Sequence, residues 1–416
     1  MAGVRRRTVL RAGGLSALGA AAGCAGVART VGLVNPVRIA VSWSATELAA
    51  FRAVLRGQGI DNYELIPLGD DIDAALGART AGRPDVVALP RGGLVRDNVK
   101  RLEPVLGVEN HPAYTEIWRR SLPGGGYALP FKLAHKSVVW YRKTLFAEHG
   151  LRPPDTWEEW LALNESIIAS PAAGAPLALG GADGWMLSGI FENVLLRNFA
   201  GLYDALTQRG HRPGLWDSPD MRAAFEMVGE LCGRPGAFAG GLRGGLVQQF
   251  PEAVLEVFVY HRAAMVVAPD FTESVIRHFG VPDGEVGTFT FPSKSGTGPL
   301  VFGGDLLVLT HPATEEARRL VDRLGRPEAP VPWIRDTGGF IAGHPGTGAY
   351  SPILGRLAAE LRGGDVRFDL TDELGVVGGG LDRVLVDFLR ELGDGAPRAD
   401  AAHAACAAMV NVDESG

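Results

Sequence analysis

Residues 127–160 contain the feature that most restricts the fold, which is two predicted strands followed directly by a helix. Residues 127–131 (YALPF) are apolar and predict a short strand, which we expect to end at its proline because proline cannot continue inside a sheet. Residues 137–141 (SVVWY) predict a second, buried strand. After a Pro-Pro pair, residues 156–159 (TWEE) have the form of a capping box and predict the start of a helix.

Residues 37–89 alternate between strand and helix patterns. Strands are predicted at 37–42, 62–68 and 85–89, with amphipathic helical segments between them. This alternation is typical of a parallel, doubly wound α/β sheet, in which ligands bind beyond the carboxyl ends of the strands. The residues that follow these strand ends are Trp43, Ser44, Glu47, Pro90 and Arg91.

The length and composition indicate a globular protein with two domains. A chain of 416 residues exceeds a single typical core, and its 46% apolar and 21% charged residues exclude a disordered or fibrous protein. The formal net charge is −6; residues 1–23 carry four arginines and no acid, so their removal would leave −10. This negative charge argues against a nucleic acid as the partner.

The N-terminus predicts export. Residues 6–11 (RRTVLR) are close to a twin-arginine signal, and the weakly apolar run that follows is too short to span a membrane. The run ends in AAGC, which is similar to a bacterial lipobox, although alanine replaces the usual leucine. We therefore expect a signal peptide at 1–23, lipidation of Cys24, a tether at 24–36 and anchoring at the outer face of the cell membrane. The alternative is a basic tail with a chance cysteine.

The order of motifs in residues 127–160 resembles the extracellular solute-binding proteins of ABC importers, in particular the maltodextrin-type group called family one. The shared order is a strand ending LPF, a strand ending WYRK, then LF, GL and PPDTWEE. A second likeness lies in residues 299–325, where Gly-Gly, a strand, the turn HPAT and a helix follow one another. The resemblance extends over residues 37–410.

The resemblance implies an α/β, two-lobed periplasmic-binding-protein-like fold of type II. Its ligand cleft would lie between lobes joined by hinge crossings. Lobe one would comprise residues 37–131 and 294–340, and lobe two would comprise residues 132–293 and 341–416. The implied function is capture of a small polar solute, favoured to be a mono- or oligosaccharide, and its delivery to ABC permease subunits. The protein would be a monomer without cofactor, metal or catalytic activity.

A sugar site needs aromatic side chains for the apolar C–H faces and planar polar groups for the hydroxyls. By resemblance, Trp43 and Glu47 occupy the first strand-to-helix turn and Trp185 the aromatic wall of lobe two. The alternative is core packing for the aromatic residues and solvent exposure for Arg335 and for Lys132, a further polar neighbour. The predicted ligand-binding residues are Trp43, Glu47, Trp185, Asp270, Phe271, Asp305, Trp333 and Arg335.

Other functions remain as alternatives. The sequence lacks H-E-x-x-H, G-x-S-x-G and a P-loop lysine, and its nine histidines show no ligand spacing. An exported lipoprotein enzyme that acts on cell-wall sugars would still be possible, as would a two-lobed sensor that docks a receptor. Cys232 and Cys406 are predicted to be small buried residues, and a disulfide between them is the alternative in an exported protein.

Overall fold

A computed structural model describes residues 35–43, 45–77, 82–90, 92–115, 118, 126–170, 173–208 and 210–415. The predicted signal peptide, the lipidation site Cys24 and most of the tether lie outside these residues, as do Ser44 and Arg91.

The strands belong to two separate sheets. The strands of the first sheet are β1 Val37–Val41, β2 Tyr63–Pro67, β3 Val86–Leu89, β4 Leu102–Glu103, β5 Ala128–His135, β10 Leu300–Thr310, β11 Ile341–Ala342 and β12 Val366–Phe368. Those of the second sheet are β6 Val138–Arg142, β7 Ala175–Ala178, β8 Ala263–Val267 and β9 Val286–Thr290.

The helices surround these sheets. Among the described residues they are α1 Ala45–Gly57, α2 Ala74–Gly77, α3 Gly92–Asp97, α4 Lys143–Glu148, α5 Trp157–Ile168, α6 Trp185–Asn198, α7 Ala200–Leu206, α8 Pro219–Cys232, α9 Gly241–Gly245, α10 Phe250–Phe258, α11 Thr272–His278, α12 Glu315–Leu324, α13 Val331–Asp336, α14 Pro352–Gly363, α15 Leu370–Leu374, α16 Val376–Gly393 and α17 Arg398–Ser415.

The first sheet has the order β11-β5-β10-β3-β1-β2, with β4 and β12 paired to β10. β1 is parallel to both β2 and β3, as the strand–helix alternation predicts. β10 is antiparallel to β3 and β5, so the sheet as a whole is mixed. β1 and β3, in the interior of the sheet, are almost completely buried because helices cover both faces of a doubly wound sheet, whereas no residue of the edge strand β2 is fully buried.

Strand β5 does not end at its proline, contrary to the expectation from the sequence. Pro130 lies opposite Leu306 and Lys132 lies opposite Asp305, and the register between the two strands shifts at this point. A β-bulge accommodates a residue that cannot donate a backbone hydrogen bond, so the strand continues to His135. This continuation brings Lys132 beside Asp305.

The second sheet has the order β7-β8-β6-β9. The helix predicted after the Pro-Pro pair is present as α5, and its capping box is complete. Glu159 N donates to Thr156 Oγ1 at 3.3 Å, and Thr156 N donates to the Glu159 carboxylate at 3.1 Å. Trp157 and Trp160 on this helix are buried, and Trp160 packs edge-on against Phe291.

The two sheets and their helices form two lobes, and the chain passes between them three times. The first crossing joins β5 to β6 and the second joins β9 to β10. The third follows β12, after which α16 and α17 pack on α6 and α8 of the second lobe. Within the described ranges, no helix combines the length and apolarity needed to cross a bilayer.

The boundary expected between residues 340 and 341 is wrong. β11 and β12 both pair with strands of the first sheet, and α14 packs against β5. The chain therefore stays with the first lobe until Asp369. Short strands of two and three residues carry too little periodicity to be recognised in the sequence, although they pair at the edge of a long strand.

Candidate functional site

A cavity of about 280 Å³ lies where the two lobes meet. Its volume is near the lower end of the range for small-molecule sites, roughly 300–1,000 Å³. The first lobe contributes Ser42, Trp43, Glu47, Pro90, Lys132, Gly304 and Asp305, and the second contributes Trp185, Met186, Ser188, Gly189, Val267, Ala268, Pro269, Phe271, Gly379 and Asp382. The segments that connect the lobes contribute Ala134, Lys136, Asp369, Thr371 and Asp372.

Trp43 forms part of the wall on the first-lobe side. It lies two residues after the end of β1, so the strand places it at the edge of the sheet at which ligands bind. Its side chain is only 4% exposed, and its Nε1 donates to Asp305 Oδ2 at 2.9 Å. The ring packs edge-on against Phe51 and Trp333, with centroids 4.9 and 5.1 Å away. Trp43 therefore presents a fixed surface rather than a mobile side chain.

Asp305 and Lys132 face each other across β10 and β5 at the bulge. Gly304 makes this approach possible, since its φ is 150° and a Cβ there would lie 2.0 Å from the carbonyl oxygen of Lys132. Burial raises the pKa of the Asp305 carboxyl, while Lys132 and the hydrogen bond from Trp43 oppose this effect. The bulge thus brings opposite charges together in a largely buried position.

Lys132 is 3% exposed and borders the cavity. Nζ donates to Glu47 Oε1 at 2.8 Å. Burial disfavours the charged form, but Glu47 and Asp305 outweigh it, so the pKa of Lys132 lies above its ordinary value. Lys132 is therefore charged. We refer to Lys132 and to Lys136, the second lysine that borders the cavity, as the lysine floor.

Aromatic side chains form the wall on the second-lobe side. Trp185 is the first residue of α6, and Phe271 follows β8 by a short loop. Their ring centroids are 5.9 Å apart, and Phe250 packs against both at 5.2 and 5.5 Å. Trp185 and Phe271 are both partly exposed at the cavity, so their faces are available to a solute.

A second lysine connects the crossings. Nζ of Lys136, which lies between β5 and β6, is 2.5 Å from Asp369 Oδ2 and 3.0 Å from Asp372 Oδ2. Burial disfavours its charge, but these two carboxylates raise the pKa of Lys136 well above its ordinary value. Glu192 of α6 accepts hydrogen bonds from the backbone N–H groups of Leu370 and Thr371. The third crossing is therefore held both by the first crossing and by the second lobe.

Five of the predicted ligand-binding residues lie together around the cavity. They are Trp43, Glu47, Trp185, Phe271 and Asp305. Trp43, Glu47 and Asp305 belong to the first lobe, and Trp185 and Phe271 belong to the second. Their common location supports the prediction of a site between the lobes.

The other three predicted residues do not border the cavity. Trp333 is completely buried behind Trp43, where it packs as a core residue. Asp270 is also completely buried; its Oδ1 accepts from His135 N at 2.8 Å, and burial raises its pKa to about 7 against the opposing effect of Lys132. Arg335 is exposed and hydrogen-bonds Asp336, its neighbour in the chain.

Sequence reasoning missed several charged residues at the cavity. Lys136, Asp369, Asp372 and Asp382 were not predicted, and Lys132 was named only as a polar neighbour with solvent exposure as its alternative. One signal was present for the lysines. The chain contains only five lysines, and two of them lie four residues apart in the apolar segment LPFKLAHKSVV. Charged residues in a buried strand need partners, which makes them candidates for a functional site.

Neither the cysteines nor the possible metal ligands among the described residues form a second functional site. Cys232 and Cys406 are buried free thiols, so the disulfide alternative is not present in this structure. Burial raises the pKa of the Cys232 thiol to about 12, which makes it unreactive at neutral pH. Within the described part of the chain, no three His, Cys, Asp or Glu side chains lie close enough together to hold a metal ion.

The sequence model of the family "bacterial extracellular solute-binding protein" matches residues 67–329, which is more than half of the chain. This chain belongs to that family. The match includes the crossing from β5 to β6, the crossing from β9 to β10, and both Lys132 and Lys136, whereas their partners Glu47, Asp369 and Asp372 lie outside it. The resemblance inferred from residues 127–160 and 299–325 is thereby confirmed.

Two relatives of this solute-binding protein show how far the likeness extends. The osmoprotective compounds-binding protein GgtB of Synechocystis sp. is 27% identical over 71% of this chain and 74% of its own. The multiple sugar-binding protein of Streptococcus mutans is 31% identical over 43% of this chain and 42% of its own. The matched share of the curated relatives' own length ranges from 25% to 74%.

A solved structure confirms the two-lobed fold of this solute-binding protein. The chitin oligosaccharide binding protein superposes with a TM-score of 0.73 at 16% identity, over 91% of this chain and 99% of that chain. Identity at this level shows the fold alone.

Proposed function

We propose that this protein captures a neutral mono- or oligosaccharide in the cavity between its lobes and delivers it to the permease of an ABC importer. The observation that carries the proposal is that aromatic rings reach the cavity from both lobes. Trp43 lies on one side, and Trp185 and Phe271 lie on the other. Aromatic faces suit the apolar C–H surface of a pyranose, and Glu47 and Asp305 can accept its hydroxyl hydrogens.

The comparisons support a carbohydrate as the solute. One relative with 31% identity is named for binding multiple sugars. Family membership supports solute binding without catalysis, and it implies a permease as the partner. We assign no reaction to the site, since its polar groups are engaged in ion pairs and hydrogen bonds that fix their positions.

We further propose that a solute draws the lobes together. A solute held by both aromatic walls makes more contacts in the closed arrangement than in an open one, so binding would favour closure. The three crossings form the hinge. The closed form would then be the one that a permease recognises.

We propose that the mature protein is exported by the twin-arginine signal and is held at the membrane by a lipid on Cys24. The carbohydrate site would then face the medium outside the cell. This arrangement supports uptake, because a tethered binding protein keeps its solute close to the permease.

Thermal denaturation in the presence of sugars tests the proposed function. A ligand that binds only the folded state must raise its melting temperature. The panel would contain glucose, galactose, xylose, maltose, trehalose and raffinose, with glycine betaine, spermidine and Fe³⁺ as other solutes of this transport class. A rise with one or more sugars is expected. A rise confined to the non-sugar solutes would refute a carbohydrate ligand.

A further inference from the structure

The ammonium group of Lys132 has hydrogen-bonding capacity that the protein does not use. An ammonium carries three N–H donors. One is directed to Glu47 Oε1 at 2.8 Å, and no other described residue accepts a hydrogen bond from Nζ. Because Lys132 is 97% buried, unused donors at this position are costly unless a partner enters from the cavity.

Three aromatic rings also lie around this group. Nζ lies 5.3 Å from the ring centroid of Phe271, 5.2 Å from that of Trp333 and 5.9 Å from that of Phe340. These faces attract the cation but offer no strong acceptor atom. The remaining donors can therefore be satisfied by a solute in the cavity, on which Lys132 borders.

Carboxylates flank the ammonium on two sides. Glu47 is hydrogen-bonded to it, and Asp305 lies opposite Lys132 in the strand pair with one oxygen fixed by Trp43 Nε1. Asp305 also acts on the charge of Lys132, so two acceptor groups and one donor group are close together here. A hydroxyl group can accept a hydrogen bond from the ammonium and donate one to a carboxylate, so two adjacent hydroxyls complement this arrangement.

We propose that Lys132 determines specificity by binding a pair of adjacent hydroxyl groups on a neutral solute, whose hydrogens are donated to Glu47 and Asp305. This inference rests on the proposed function, because it assumes that the solute is a carbohydrate. It assigns to Lys132 a direct contact with the solute, and it identifies a vicinal diol as the group that is recognised.

The charges of the cavity exclude an anionic solute from this role. Among the described lining residues, five carboxyl side chains stand against two lysines. Both lysines are already paired, Lys132 with Glu47 and Lys136 with Asp369 and Asp372. A carboxylate on the solute would add a negative charge beside Glu47 and Asp305, the two carboxylates that act on Lys132, whereas a hydroxyl adds none.

Isothermal titration of the full mature chain tests this role. The tightest-binding sugar of the panel is compared with its monodeoxy derivatives and with the corresponding uronate, in the wild type, in Lys132→Met and in Lys143→Met. Lys143 is an exposed lysine at the start of α4, outside the cavity, and serves as the matched control. Melting temperatures without sugar show whether each variant is folded.

For the wild type, removal of one of the two recognised hydroxyls should weaken binding about ten- to a hundredfold, as expected for a hydrogen bond to a charged group. In Lys132→Met the parent sugar should bind correspondingly more weakly, and the difference between parent and deoxy sugar should almost disappear. Lys143→Met should retain both values. If Lys132→Met changes the affinity for all derivatives equally, the lysine has only a structural role and the inference is overturned.

Glu47→Gln provides an independent test if Lys132→Met does not fold. This change keeps the size of the side chain and removes one negative charge, so the preference for the neutral sugar over its uronate should fall about tenfold. An unchanged preference would overturn the inference while the proposed function remains. If the wild type binds a non-sugar solute of the panel and none of the sugars, the proposed function is refuted and the diol assignment with it.

Discussion

Replacing Trp185 with alanine should weaken sugar binding while leaving the protein folded. The indole is at the cavity, where it packs against Phe250 and Phe271 but remains partly exposed. Covering roughly 50 Å² of the indole with a sugar face at about 25 cal/mol per Å² would contribute about 1.2 kcal/mol. The stacking geometry should add about 0.5–1.5 kcal/mol, which brings the total to about 2 kcal/mol. This corresponds to a loss of affinity of about thirtyfold.

The cost to folding should be smaller than for a core tryptophan. Trp185 has two aromatic neighbours, and loss of these pairs should lower the free energy of unfolding by about 1–2 kcal/mol. Trp160, which is completely buried in the second lobe, provides the contrast. Its replacement by alanine should cost about 3–5 kcal/mol of stability with little direct effect on affinity.

The measurement is a titration calorimetry and urea denaturation series on Trp185→Ala, Trp160→Ala and Phe279→Ala. Phe279 is 49% exposed and does not border the cavity, so its replacement controls for loss of an aromatic ring alone. The reasoning is refuted if Trp185→Ala lowers stability as much as Trp160→Ala does and binds sugar with wild-type affinity. Trp185 would then be a core residue, and the aromatic wall of the second lobe would have no role in binding.

Three other properties can be tested separately. Cys24→Ala should release mature protein into the medium, and continued association with the membrane, measured by fractionation, would contradict lipidation. Addition of a sugar that binds should reduce the radius of gyration in small-angle scattering, and an identical radius would argue against hinge closure. The pKa of buried Asp270 is about 7, raised from 3.8, so the folded state binds more protons than the unfolded state between those values. The contribution of Asp270 to the free energy of unfolding should therefore fall as pH rises from about 4 to 8, so the melting temperature of Asp270→Asn relative to the wild type should rise over this interval; a constant difference would disprove the assignment.

Much of the fold could be predicted because strong local signals agree with the tertiary structure. The alternation over residues 37–89 gave three parallel strands, and the capping box at Thr156 begins α5 as expected. Pro130 was misinterpreted, since a proline in an apolar run usually ends a strand but is accommodated by a bulge. A bulge depends on the partner strand, which is about 170 residues away in the sequence, so the local sequence around Pro130 could not predict it.

The site was predicted in part for a similar reason. Trp43 was predicted because it follows a predicted strand, and Asp305 because it follows the Gly-Gly pair of the family motif. Both border the cavity. Trp333 and Arg335 were assigned together, yet residues two apart on a helix point in different directions. On α13 this places Trp333 in the core and Arg335 in solvent. The partners of Lys132 lie on other elements, so the sequence alone could not show that this lysine is buried.

The glycine pair at positions 303 and 304 limits how the binding preference of this protein can be altered. A Cβ on Gly303 would lie 2.8 Å from Cε of Lys136, and one on Gly304 would overlap the backbone at Lys132. A side chain at position 303 would displace the side chain of Lys136, and one at position 304 would displace the strand that carries Lys132. A substitution in the lysine floor would therefore require further substitutions around it. Trp185 and Phe271 stand at the start of a helix and in a loop, where single substitutions displace no strand. Laboratory selection for a new solute is therefore expected to retain the lysine floor and to collect its mutations in the aromatic wall.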